Sequence, residues 1–144
     1  MPSDPTPPVE QVRDGIWLRQ LDRSRDDWFT TQLVRLLTAA QATPLRTLFP
    51  YTSHNSLHFS RCSNYPFTHD CPWIWFSPEG KFITYPPHTS LVLQGNLADP
   101  SPALADTQNP EIAINAAVEA LPASWRHVWV GTVEDDPADN SGRI

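Results

Sequence analysis

The chain has 144 residues, 40% of them hydrophobic, with six Trp and six Phe, which suits one globular domain with a core of ordinary size. Sixteen prolines against five glycines favour extended segments, turns and short helices over a helical bundle. The net charge of -6 is set at the ends, with Asp4 and Glu10 near the start and Glu134, Asp135, Asp136 and Asp139 against Arg143 near the finish, so residues 11–133 carry only -1 and offer no electrostatic footprint for nucleic acid or an anionic membrane.

In chain order, MPSDPTPPVE lacks a basic stretch followed by an apolar one, so it is not a secretory signal, and no apolar run approaches the length of a membrane span. A cytoplasmic protein is expected, with both cysteines as reduced thiols. Residues 1–12 read as a flexible Pro-rich tail, residues 13–133 as a single domain and residues 134–144 as a disordered acidic tail. GIWLRQL, residues 15–21, fits a short strand or, continued towards Asp26, a helix.

Phe29, Leu33, Leu36, Leu37 and Ala40 fall at i, i+4, i+7, i+8 and i+11 and predict a helix over about 26–42, with Asp26 and Asp27 at its N-terminal end. Thr43 and Pro44 open a short helical turn that ends before Pro50. The period then changes to that of a strand. LHFSR places Leu57 and Phe59 on one face and His58 and Ser60 on the other. WIWF (73–76) and KFITY (81–85) flank the turn SPEG and predict a hairpin, and SLVLQG (90–95) predicts a further strand. After a polar loop over 96–109, Asn109, Pro110 and Glu111 open a second main helix, with Ile114, Ala117, Val118 and Leu121 as its buried stripe and Pro122 as its stop. RHVWVGTV (126–133) reads as a last strand. Runs of strands rather than strict alternation with helices predict an α+β fold: a single antiparallel sheet of four to five strands with two main helices packed on one face.

LRTLFPYTSHNSLHFSRCSNYPFTHDCP, together with IAINAAVEALPASWRHVWVGT, resembles a bacterial family of unknown function whose members are often labelled natural-product biosynthesis proteins. The resemblance covers roughly residues 30–133. It implies a place in such a pathway, and carries no cofactor or catalytic residues with it.

The stretch 48–72 concentrates the versatile side chains: both cysteines, His54, His58 and His69, Arg61 and Asp70. The loop 61–72 is too long for a tight hairpin, and loops held by a rigid scaffold often carry function. Its plainer reading is that Tyr65, Pro66 and Phe67 fold under the sheet as a satellite cluster. Cys62, His69, Cys71 and His58 have thiolate and imidazole ligand types but lack the C-x2-C spacing of a zinc knuckle, so no metal is expected. A disulfide joining Cys62 and Cys71 would close the loop, against the reducing compartment. No phosphate-binding glycine loop or dinucleotide fingerprint is present, so no organic cofactor is expected.

The function expected is binding of an apolar or aromatic small-molecule pathway intermediate, with transformation by cyclisation, isomerisation or dehydration through acid and base residues. His58, His69, Asp70 and Cys71 are the catalytic candidates, while Tyr51, Arg61 and Trp75 are the binding candidates, Arg61 as a carboxylate anchor. The competing expectation is a non-catalytic module whose aromatic sheet face docks onto a second copy or a pathway enzyme.

Overall fold

The computed structural model describes residues 8–22, 27–87 and 103–137. In order these form helix α1 (Val9–Leu21), helix α2 (Trp28–Ala40), a 3-10 turn (Pro44–Thr47), and strands β1 (Phe49–Thr52), β2 (Ser56–Ser60), β3 (Trp73–Phe76), β4 (Phe82–Tyr85) and β5 (Ala105–Thr107). Helix α3 (Pro110–Glu119) and a final 3-10 turn (Val133–Asp135) complete the chain. The strands make a single antiparallel sheet in the order β1-β2-β3-β4-β5. The fold is α+β, with the two expected main helices joined by a third.

The two main helices start where their caps dictate. The Asp27 carboxylate accepts from Thr30 N at 2.7 Å, and Asn109 Oδ1 accepts from Glu111 N at 2.8 Å ahead of Pro110. Their apolar stripes, Leu33, Leu36 and Leu37 on α2 and Ala113, Ile114 and Ala117 on α3, face Leu57, Phe59, Ile74, Phe76 and Phe82 of the sheet and form the core. Each large side chain so buried contributes about 1.5–3 kcal/mol. Thr84 is the polar exception on this face, and its hydroxyl donates to Ala113 O at 2.9 Å.

Helix α1 resolves the ambiguous stretch 15–21 as helical, and it begins at Val9, inside the residues read as tail. Only Trp17 is buried along it, so the sequence carries no apolar stripe to announce a helix. Side-chain contacts with the turn before β1 hold it in place. Trp17 Nε1 donates to Leu48 O at 2.9 Å, Arg13 Nη1 donates to Thr47 O at 3.2 Å, and Arg46 pairs with Asp14 at 2.7 Å.

Two strands lie outside the expected set, and one expected strand does not form. β1 contains Pro50, which an edge strand accommodates because one side of it needs no N–H donor, and it returns into β2 through His54 and Asn55, both at positive φ (45° and 33°). β5 lies in the stretch read as a polar loop. Residues 126–133 do not join the sheet: the chain turns over 123–126 and makes one isolated parallel bridge, Cys62 to Trp129. Their backbone groups are satisfied by the 61–66 loop instead, through Trp129 N to Arg61 O at 3.0 Å, Asn64 N to Gly131 O at 2.8 Å and Val133 N to Pro66 O at 2.9 Å. Gly131, at φ +129°, lets the chain bend away there. The Asp135 carboxylate then closes a capping box on Thr132, so part of the stretch read as an acidic tail is a capped turn. The strand expected at 90–95 lies outside the described residues. No helix among the described residues is long and apolar enough to cross a membrane.

Candidate functional site

Strand alternation sends Leu57, Phe59, Ile74 and Phe76 to the helices and leaves Tyr51, His58, Trp73, Trp75 and Tyr85 on the opposite face. The register then lines four rings up across four strands, because Tyr51 pairs with His58, His58 with Trp73 and Trp73 with Tyr85. Neighbouring centroids are 5.0, 5.1 and 4.9 Å apart, with interplanar angles of 15°, 9° and 26°. Phe67, from the 61–72 loop, continues the row by stacking on Tyr51 at 4.0 Å, and Tyr65 meets Phe67 edge-on at 6.0 Å. Phe67 thus folds onto the sheet as the satellite reading of this loop expects, whereas Tyr65 is 80% exposed.

His58 sits in the middle of this row. Burial between rings, with the nearby His69 as a second cause, lowers its pKa to about 4, so the imidazole is neutral at physiological pH. Its tautomer follows from proton counting. The Ser56 hydroxyl donates its one proton to Ser53 O, so Ser56 Oγ must accept from His58 Nε2, 2.8 Å away, and Nδ1 is left as an acceptor. Tyr51, beside it, has its phenol pushed up to about 12 by burial and then by the nearby cysteines, and is a neutral donor.

The polar candidates of the loop are committed to holding it. Arg61 donates through Nε to Asp70 Oδ2 at 2.8 Å, pairs with the same oxygen through Nη2 at 2.8 Å, donates through Nη1 to His127 O at 3.2 Å and lies over Trp129 at 5.3 Å. The carboxylate that Arg61 anchors is therefore that of Asp70. Burial pushes Asp70 up, but hydrogen bonding and charge from Arg61 outweigh it and hold the carboxyl below its usual range. Thr68 braces the same corner, accepting from Arg61 N at 3.0 Å while its own N–H donates to Ser60 Oγ at 3.1 Å.

Both cysteines are buried free thiols. Burial, and then the adjacent Asp70 charge, pushes Cys71 up to about 12, leaving a negligible thiolate fraction at neutral pH. Cys62 is enclosed by Asn64 O at 3.6 Å and Pro66 O at 3.5 Å. His69 is exposed. No group of three His, Cys, Asp or Glu side chains among the described residues could hold a metal ion, so the zinc arrangement weighed from the sequence does not assemble there.

The structure therefore brings Tyr51 and His58 into one stack, with His69 near, and joins Arg61 to Asp70 beside Cys71. Trp75, opposite Ser56 on the same outer face, is half-buried and has no ring partner among the described residues. Phe67 is expected only as part of a satellite cluster, and Trp73 and Tyr85 are not among the expected site residues. Their parity on the strands is a usable signal, but it needs the register, and the register of Tyr51 needs β1.

A model for a family of unknown function, DUF6193, matches residues 13–132. The chain belongs to that family. The DUF6193 match takes in α1 from Arg13, all five strands, α3 and the bridge at Trp129, so the ring row and the braced loop both lie within it. No curated protein and no solved structure matches the chain.

Hollows in this DUF6193 chain include one of about 290 Å3 at Trp28, Asn55 and Pro78, one of about 480 Å3 beside Leu18 and Leu21, and one of about 440 Å3 between α1 and the 123–128 turn. None of these three is lined by the ring row.

Proposed function

We propose that this is a cytoplasmic binding protein of a natural-product pathway, whose outer sheet face receives an apolar or aromatic intermediate against Trp75 and the Tyr51–His58 end of the ring row. The observation that carries this reading is a half-buried indole with no ring partner among the described residues on the same face as a neutral imidazole. A planar guest would continue the stacking that the rings begin, each such contact being worth about 0.5–1.5 kcal/mol. His58 would then read a hydroxyl or N–H on that guest.

The groups around the face favour binding over bond-making. A thiol raised to about 12 is a poor nucleophile, and an imidazole lowered to about 4 is a weak base at neutral pH.

The test is intrinsic fluorescence titrated with the aromatic intermediates of the neighbouring pathway genes. Saturable quenching that Trp75→Ala removes is the expected result. No response to any of them, alongside a concentration-dependent mass by light scattering that Trp75→Ala shifts to monomer, would replace this reading with a docking face. Tyr65, 80% exposed beyond Phe67, is the observation favouring that second reading.

A further inference from the structure

The hollow of about 440 Å3 between α1 and the 123–128 turn lies apart from the ring row and carries a different chemistry. Arg13 lines it and is fixed at one end, where Nη1 donates to Thr47 O at 3.2 Å. Its Nε is buried with no hydrogen-bond partner, the only such buried side-chain atom among the described residues, and Nη2 makes no bond among them. Nε and Nη2 form the side-on edge of the guanidinium, which matches the two oxygens of a carboxylate. A buried donor left without an acceptor is costly, so an acceptor arriving there recovers more than an ordinary surface bond.

The other walls point to the same class of guest. Arg126 lines the hollow with no ion pair among the described residues, its guanidinium 4.9 Å from the Trp125 ring centroid. Glu10 is the opposing charge, so two arginines face one carboxylate in a chain whose net charge is -6. Val9, Val128 and the Trp125 ring supply an apolar floor. One excess positive charge over an apolar floor suits a single negative charge on an apolar body better than a free dianion.

We propose that this hollow binds a small monocarboxylate with an apolar body, its carboxylate on the Nε–Nη2 edge of Arg13 and beside Arg126, its body against Trp125 and Val128. The guest reaches Nη2 first and takes Nε by a small rotation of the guanidinium about its bond to Thr47.

The experiment is a titration of the full chain with phenylacetate, followed by the arginine Nε–H and tryptophan indole N–H signals in a 1H–15N spectrum. Phenylacetamide and inorganic phosphate serve as comparisons. The expected result is saturable shifts of Arg13 Nε–H and the Trp125 indole with phenylacetate, with phenylacetamide weaker by about tenfold or more, the loss of a charge-assisted pair. Arg13→Lys, which keeps the charge and removes the fork, should weaken phenylacetate by about tenfold. If that variant fails to fold, Arg126→Gln carries the test, and undiminished binding by it overturns the proposal. Equal shifts with phenylacetamide, tighter binding of phosphate, or no shift at Arg13 and Trp125 up to solubility also overturn it. Shifts confined to Trp75 overturn this site while supporting the ring-face reading.

Discussion

The two faces of the sheet are built from alternate residues of the same strands, yet they are stabilised differently. On the helix side, Leu57, Phe59, Ile74, Phe76 and Phe82 are at most 2% exposed and meet two apolar helix stripes. On the outer side, among the described residues, a row of stacked rings and an ion-paired loop take the place of a helix layer. The inner face depends on excluded water and close packing, which are insensitive to pH. The outer face depends on stacking around a neutral imidazole and, at its loop, on the Arg61–Asp70 pair, so two of its groups, His58 and Asp70, respond to pH. A strand's parity thus selects which physical force its side chains serve.

The largest expected effect separates neighbours on β2. Phe59→Ala should lose about 3–5 kcal/mol by denaturant unfolding, because it opens a cavity beneath α2 and α1. His58→Ala, one residue away, should lose about 1–2 kcal/mol, the stacking with Tyr51 and Trp73. Equal losses would mean that the ring row is a second core.

Of the two faces, the outer one should respond to acid through His58. Unfolded His58 titrates near 6.5 and folded His58 near 4, so between those values the unfolded chain holds more protons and stability falls as pH drops, by up to about 3 kcal/mol at pH 4. In His58→Phe, which keeps a ring in the row, the stability-against-pH curve should be flatter over this range. A slope matching that of the parent chain would show that His58 is not the titrating group.

The smallest effect concerns the loop. Asp70→Asn should cost about 1–2 kcal/mol at pH 7, less than a fully buried pair because water reaches the carboxylate, by leaving Arg61 without its counter-charge. Asp70 is held below its usual pKa, so its contribution is present above the ordinary carboxylate range and is lost as pH falls through its folded value. Urea midpoints of parent and variant should therefore converge in strong acid.

Features set by neighbours in sequence are legible in the residues themselves. The α2 and α3 stripes and caps, the SPEG turn and the Leu57/Phe59 alternation all depend on residues within a few positions of one another, and all are present. α1 is ambiguous in sequence because a single buried tryptophan gives no period, and its anchors, Thr47 and Leu48, lie more than thirty residues away. The last expected strand fails for a related reason. RHVWVGTV has a strand's composition, but its backbone donors and acceptors are met by the 61–66 loop rather than by a strand.

For the candidate site, the sequence by itself placed the versatile side chains in one stretch and put His58 on the outer face. Only the tertiary structure decided what each one does. Register is a long-range property, so the stacking of Tyr51, His58, Trp73 and Tyr85 follows only once β1 is in place. Charge and protonation depend on what surrounds a group, so Arg61 becomes the partner of Asp70, and burial raises the Cys71 thiol, only when the loop has closed over the strand. The ambient water that a sequence cannot count is what separates a reactive residue from a structural one.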